Sequence, residues 1–200
     1  MFYYFARFLC AVFCVLFFRI RIYGRENVPK KGAFILAGNH VSYLDPVVFG
    51  VSCPRVISYM ARSTLFNNKI FGWIITHCHT FPVKREGGDI GAFREALRRL
   101  KKGVGLLVFP EGTRSLTGEL GKARAGIGLL IKKSGVPVLP AYADGSKNAW
   151  PKGAKFPRPV RITVHFGKLI DFNMNQELSD QEVAEKVMDQ IRRIKESLKT

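Results

Sequence analysis

His40 and Asp45 stand five residues apart in Gly38-Asn39-His40-Val41-Ser42-Tyr43-Leu44-Asp45-Pro46, directly after the apolar run Phe34 to Ala37. An imidazole held by a carboxylate has a fixed tautomer and a raised basicity, the two requirements of a general base. On a regular helix five residues would set the two side chains about 140° apart, so a turn is the geometry that lets them meet. Asp45-Pro46 supplies the boundary. Aspartate suits an N-cap and proline the first helical position, which predicts that Asp45 opens a helix and leaves His40 in the turn before it. A cap with no catalytic partner is the competing reading of the same aspartate.

A second segment, Val108-Phe109-Pro110-Glu111-Gly112-Thr113-Arg114-Ser115, also closes an apolar run. Pro-Glu-Gly-Thr makes a turn that presents Glu111 and Arg114 at a strand end, and guanidinium is the group suited to bidentate phosphate recognition. Further cations recur at comparable positions: Arg62 after Val56 to Ala61, Lys84 and Arg85 after Phe81-Pro82-Val83, and Lys122 and Arg124 ahead of a helix. Cations converging on strand ends predict an anionic substrate, although solvent exposure explains any one of them equally well.

Other chemistries fail on inspection. A phosphate-binding loop ending at Gly121-Lys122 would need glycine where Leu116 stands and serine or threonine where Ala123 stands. Ser42 lies near His40 and Asp45 but in no G-x-S-x-G elbow. His77-Cys78-His79 offers metal-ligand types, but neighbours in a strand point to alternate faces and no second cluster completes a tetrahedral set.

These segments need a scaffold. The chain has 200 residues, 47% of them hydrophobic, with only 19 Gly and 10 Pro, which excludes a disordered or collagen-like chain and fits one domain. The net charge of +17 and 16 Phe point to an anionic surface, either a membrane or a nucleic acid. No RNA-binding arrangement of aromatics is present, which argues against nucleic acid. The four cysteines form no C-x-x-C pair, as expected of a reduced, cytosol-facing domain. Short apolar runs alternating with helical stretches predict an α/β fold, with strands at Phe34 to Ala37, Val56 to Met60, Val104 to Phe109, Val136 to Ala143 and Pro159 to Phe166. Helices are expected at Ile90 to Lys102, capped by Asp89 and followed by Gly103, at Ala123 to Lys133, and at about Gln181 to Leu198.

Residues 1 to 18 are apolar or aromatic apart from Arg7, and Arg19, Arg21 and Arg25 follow. An 18-residue helix is about 27 Å long, against a hydrocarbon thickness of about 30 Å, so it spans marginally or lies half-inserted. If it spans, the arginines put the rest of the chain on the cytoplasmic side. No cleavage site marks it as a signal, and it is expected to be retained. Leu65 to Ile75 is too apolar for an ordinary exposed helix, which leaves core packing or an interfacial patch with Trp73 at headgroup depth.

Taken in order, Asn39 to Asp45, Phe81 to Arg85, Phe109 to Ser115 and Val136 to Pro140 resemble the glycerophospholipid acyltransferase family, and most of all its 1-acyl-sn-glycerol-3-phosphate branch. The resemblance runs from Asn39 to about Ala143. It implies a single acyltransferase domain at 23–200, with a central mixed sheet flanked by helices, behind a membrane-anchoring helix at 1–22. It makes His40 the general base and Asp45 its orienting carboxylate. Glu111, Arg114 and Arg85 then serve the glycerol-phosphate acceptor; beside them the strand-end cations Arg62 and Lys122 suit the same phosphate, and the N–H groups around Gly112 and Thr113 are the oxyanion donors expected for the tetrahedral intermediate.

The implied reaction carries a fatty acyl group from acyl-CoA or acyl-carrier protein to the sn-2 hydroxyl of 1-acyl-sn-glycerol 3-phosphate, giving phosphatidic acid. No metal or bound cofactor is called for. The partners expected are membrane lipid and the acyl donor, not nucleic acid, at the cell membrane with the catalytic domain on its cytoplasmic face. Two positions depart from the family pattern: Arg62 stands where many relatives have lysine, and Lys84 where an acidic residue is usual. Another acceptor, such as glycerol 3-phosphate, a lyso-aminolipid or another lysophospholipid, or a non-catalytic membrane-binding relative, are the alternatives.

Overall fold

Apolar runs without alternation become inner strands when both faces of a sheet are covered. In the computed structural model, which describes residues 1–84, 88–151, 153–172 and 177–198, this is the fate of the runs around Leu36, Leu107 and Leu139. The elements are α1 (Phe2–Phe18), β1 (Arg21–Tyr23), β2 (Ile35–Gly38), α2 (Asp45–Ser52), β3 (Ile57–Arg62), α3 (Lys69–His77), β4 (Thr80–Val83), α4 (Ile90–Lys101), β5 (Gly105–Val108), α5 (Ala125–Ser134), β6 (Val138–Asp144), α6 (Ser146–Ala149), β7 (Thr163–Phe166) and α7 (Asp180–Ser197). The strands form one sheet in the order β1-β7-β6-β2-β5-β3-β4. Every pair is parallel except β6 with β7, so the sheet is mixed, as expected.

The period of two along β2 divides the core. Ile35 and Ala37 join Leu106, Val108 and the inner faces of α4, α5 and α7 on one side. Leu36 joins Leu107, Leu139, Val48, Phe49 and the α1 residues Cys14 and Phe18 on the other. Because β2, β5, β3 and β6 are parallel, their C-terminal ends share one rim, and ligand sites of open α/β sheets gather at that rim.

The helix signals were legible. Asp89 caps α4 by accepting the N–H of Ala92 at 2.9 Å, and Gly135 closes α5 in the left-handed region at φ 63°. Ser179 and Glu182 add a reciprocal capping box at the start of α7, an S-x-x-E signal that the sequence reading passed over.

Several expectations need correction. No helix among the described residues is long and apolar enough to cross a membrane. The spanning reading of the N-terminus therefore falls: α1 has 17 residues and stops where Arg19 turns left-handed at φ 47°. The chain then enters the sheet as β1, an edge strand that the arginine-rich sequence concealed. The strand expected from Pro159 shrinks to Thr163–Phe166. His77, Cys78 and His79 are not a strand, because His77 ends α3 and the next two residues make the turn before β4. Core packing of Leu65 to Ile75 is also overturned, since Ile70 is 76% and Trp73 53% exposed and within α3 only Gly72 is buried.

Gly128, on the buried face of α5, faces α7, and a Cβ built there would lie 1.7 Å from the Asp180 carbonyl oxygen. Helix propensity alone favours Gly→Ala by about 1 kcal/mol, but forcing the two elements apart costs more, on the order of 1–3 kcal/mol. Gly128→Ala is therefore expected to lower the urea unfolding midpoint, and a raised midpoint would contradict this account of the α5–α7 contact.

Candidate active site

The turn between β2 and α2 folds back on the Asp45 carboxylate. Oδ2 accepts the N–H groups of Val41 and Ser42, each at 2.7 Å, and lies 2.9 Å from His40 Nδ1. Oδ1 accepts the hydroxyl of Ser146 at 2.7 Å. Asp45 and Ser146 are 0% exposed and His40 is 9% exposed. The side chain of Asp45 thus points back into the preceding turn, and α2 takes Leu44 as its N-cap with Asp45 as its first residue. The cap reading of Asp45 is corrected by the same bonds that bring it to His40.

Two further contacts fix His40, one at its ring and one at its backbone. Its ring stacks on Phe109, centroids 3.9 Å apart and planes 12° from parallel. The His40 carbonyl accepts the N–H of Ser115 at 2.8 Å. With Nδ1 against Asp45, Nε2 is the nitrogen left to act on a substrate.

Glu111 lies at the rim, but not as a substrate group would. It is 6% exposed, and its two oxygens accept the N–H of His40 at 3.1 Å and that of Gly121 at 3.0 Å. Burial pushes its carboxyl up, while those two N–H groups pull the other way. Its side chain ties the β5 turn to the His40 turn and to the loop before α5. The Gly112 N–H is spent on the Phe109 carbonyl at 2.9 Å, which closes the turn and removes it as an oxyanion donor. Gly112 has φ 68°, and a Cβ there would lie 2.7 Å from Arg124 Cδ.

Arg114 does reach the site's mouth, its guanidinium carbon 3.8 Å above the centroid of the Tyr43 ring. Arg62 ends β3, one strand beyond β5 on the same rim, and is exposed, as is Lys122 next to Gly121. Thr113 is exposed in the turn between Glu111 and Arg114. Arg85 lies outside the described residues.

Sequence reasoning missed two contributors. Asn39 bridges to Ala143 on β6, donating to its carbonyl at 3.0 Å and accepting its N–H at 2.8 Å. Ser146 follows β6 and belongs to no recognisable motif. The first had a signal, since an asparagine at the end of an apolar run, directly before the histidine, is placed to be buried and must then satisfy its amide somewhere. The second had none.

The sequence and the fold both have known relatives. A family model described as acyltransferase matches residues 19–144. The 1-acyl-sn-glycerol-3-phosphate acyltransferase of Bacillus subtilis (strain 168) is 32% identical over 127 residues, 63% of each chain. The chloroplastic 1-acyl-sn-glycerol-3-phosphate acyltransferase LPAT1 of Arabidopsis thaliana is 30% identical over 155 residues, 74% of this chain and 43% of that one. The chain therefore spans less than two thirds of the length of either curated relative. The crystal structure of the 1-acyl-sn-glycerophosphate acyltransferase PlsC from Thermotoga maritima superposes with a TM-score of 0.84 at 27% identity, covering 99% of this chain and 81% of that chain.

The shift of Glu111 gives a pH-dependent expectation. A carboxyl raised on folding contributes stability below glutamate's ordinary value of about 4.5 and loses it as pH rises through the higher folded value. The unfolding free energy of the native chain should thus fall relative to Glu111→Gln as pH is raised from 4.5. A difference between the two that stays constant or widens in favour of the native chain would contradict the burial argument.

Proposed function

The chain belongs to the acyltransferase family, and from that premise we propose that it transfers a fatty acyl group to the sn-2 hydroxyl of 1-acyl-sn-glycerol 3-phosphate, giving phosphatidic acid. The donor is a thioester, acyl-CoA or acyl-carrier protein. The observation that carries the reading is the 2.9 Å contact between His40 Nδ1 and a buried Asp45 at the end of an inner strand.

In the reaction, Nε2 of His40 takes the proton of the acceptor hydroxyl as its oxygen attacks the thioester carbonyl carbon. The C–O bond forms and the carbonyl oxygen becomes an oxyanion, for which the Thr113 N–H is the candidate donor. Collapse breaks the C–S bond, and the thiolate leaves with the proton returned by the imidazolium. Asp45 stabilises that imidazolium while it exists. Arg114 and Arg62, with Lys122 and Arg85, hold the acceptor phosphate and so orient the hydroxyl, which is where positioning lowers the barrier. An arginine stacked on an aromatic ring keeps its planar fork available for phosphate oxygens.

The acceptor is a lipid, and the surface offers a way to meet it. Tyr4, Phe5, Phe8 and Leu16 of α1 are exposed, as are Ile70, Phe71 and Trp73 of α3. Phe2 packs against Trp73 at 5.0 Å, which joins the two helices into one apolar face. On this reading the exposed faces of α1 and α3 lie in the headgroup region without spanning, and basic residues attract anionic lipid. The location is the cytoplasmic face of the cell membrane, where the thioester donors are found and where free cysteines such as Cys10 and Cys78 stay reduced.

Thiol release from acyl-CoA or acyl-carrier protein, measured with and without 1-acyl-sn-glycerol 3-phosphate in mixed micelles, tests the reaction. Release should require the acceptor and fall by a factor on the order of 10²–10⁴ in His40→Ala. Release without acceptor would point instead to a thioesterase. For the membrane reading, the chain should sediment with anionic vesicles, and Phe8→Ser combined with Trp73→Ser should weaken that binding by about tenfold or more. Unchanged sedimentation of the double variant would sink the α1–α3 face as the contact.

A further inference from the structure

Three side-chain links join the His40 turn to the segment from Ala143 to Trp150. Asn39 holds the backbone of Ala143, the Ser42 hydroxyl donates to the Trp150 carbonyl at 2.7 Å, and the Ser146 hydroxyl donates to Asp45 at 2.7 Å. Of these only Ser146 reaches the carboxylate.

Its position is built for that contact. Ser146 is fully buried and 101 residues from Asp45 in the chain. The turn that delivers it passes through Gly145 at φ 78°, where a Cβ would sit 2.2 Å from the Arg161 carbonyl oxygen. Gly145, not Ser146, is the N-cap of α6, so the serine is not there to cap the helix. Oδ2 of Asp45 already receives the imidazole and two backbone N–H groups, and all three come from its own turn. Ser146 acts on the other oxygen. A donor there stops the carboxylate rotating about its Cβ–Cγ bond and keeps Oδ2 aimed at Nδ1. A preorganised O–H dipole on the same carboxylate also needs no rearrangement when the neighbouring ring becomes charged.

We propose that Ser146 is a positioning residue of the acyl-transfer site, the third member of a His40–Asp45–Ser146 chain that holds the general base in its working orientation through the carboxylate. The proposal rests on the reading of His40 as that base. Ser146 does not touch substrate, so its removal should slow turnover and leave acceptor binding alone.

The test is steady-state thiol release from acyl-CoA with 1-acyl-sn-glycerol 3-phosphate in mixed micelles for the native chain, Ser146→Ala, Ser146→Thr and His40→Ala. Rates are normalised to the folded fraction measured by urea unfolding at the assay temperature. Ser146→Ala should lose about tenfold in kcat with acceptor KM within about twofold of native, and Ser146→Thr, which keeps the hydroxyl, should recover most of the loss. A native kcat in Ser146→Ala, or a loss matched by a raised acceptor KM, would overturn the assignment. Should Ser146→Thr fail to fold, the split between kcat and KM in Ser146→Ala decides alone. His40→Ala turning over at the native rate would instead overturn the general-base reading, and this proposal with it.

Discussion

A carboxylate with no exposure to water is the constraint around which this molecule is arranged. Removing an ion of that size from water costs several kcal/mol even after the protein relaxes, so the fold tolerates Asp45 only by surrounding it with donors. It does so with two backbone N–H groups, a ring nitrogen and a hydroxyl. Each donor fixes something else. The two N–H groups fix the turn after β2, the ring nitrogen fixes His40, and the hydroxyl fixes the segment after β6. The order β6-β2-β5 at the middle of the sheet then becomes a condition of the chemistry, because β6 must lie beside β2 for Ser146 to arrive and β5 beside β2 for Phe109 and Glu111 to arrive.

Glu111 plays the same part on the other side of the histidine. Its acidic side chain, which a sequence reader assigns to substrate, faces inward and accepts the backbone of His40 and Gly121. The cations remain outside. Polar groups on the rim thus divide by burial: the carboxylates, buried and hydrogen-bonded, hold the loops, while the exposed Arg62 and Lys122 and the half-buried Arg114 are left to meet an anion. That division lets a strongly basic chain carry two buried acids at its centre.

How much of this could be read beforehand depended on distance along the chain. His40 and Asp45 were legible because five residues and a proline confine them to one turn. The caps of α4 and α5 were legible for the same local reason, as was the α/β class from its alternating runs. Side-chain direction in a turn is set by tertiary packing, so the inward Glu111 and the spent Gly112 N–H were not. Ser146 was beyond reach, since nothing near it in sequence refers to Asp45. The apolar length of the N-terminal segment left a marginal span open beside half-insertion, whereas Cys14 and Phe18 are buried under the sheet and the chain continues into β1. For Leu65 to Ile75 core packing and an interfacial patch were both open, and the exposed Ile70 and Trp73 exclude the first.

The claim beneath all of this is that Asp45 fixes the protonated nitrogen of His40, and the tautomer of that ring tests it most directly. Nitrogen-15 NMR of histidine-labelled protein, with His40 assigned by its absence in a His40→Gln variant, reports which ring nitrogen carries the proton in the neutral form. The account predicts the proton on Nδ1, facing Asp45, and a free lone pair on Nε2. A neutral ring protonated mainly on Nε2 would contradict it, because such a ring has no lone pair to offer the acceptor hydroxyl from that side.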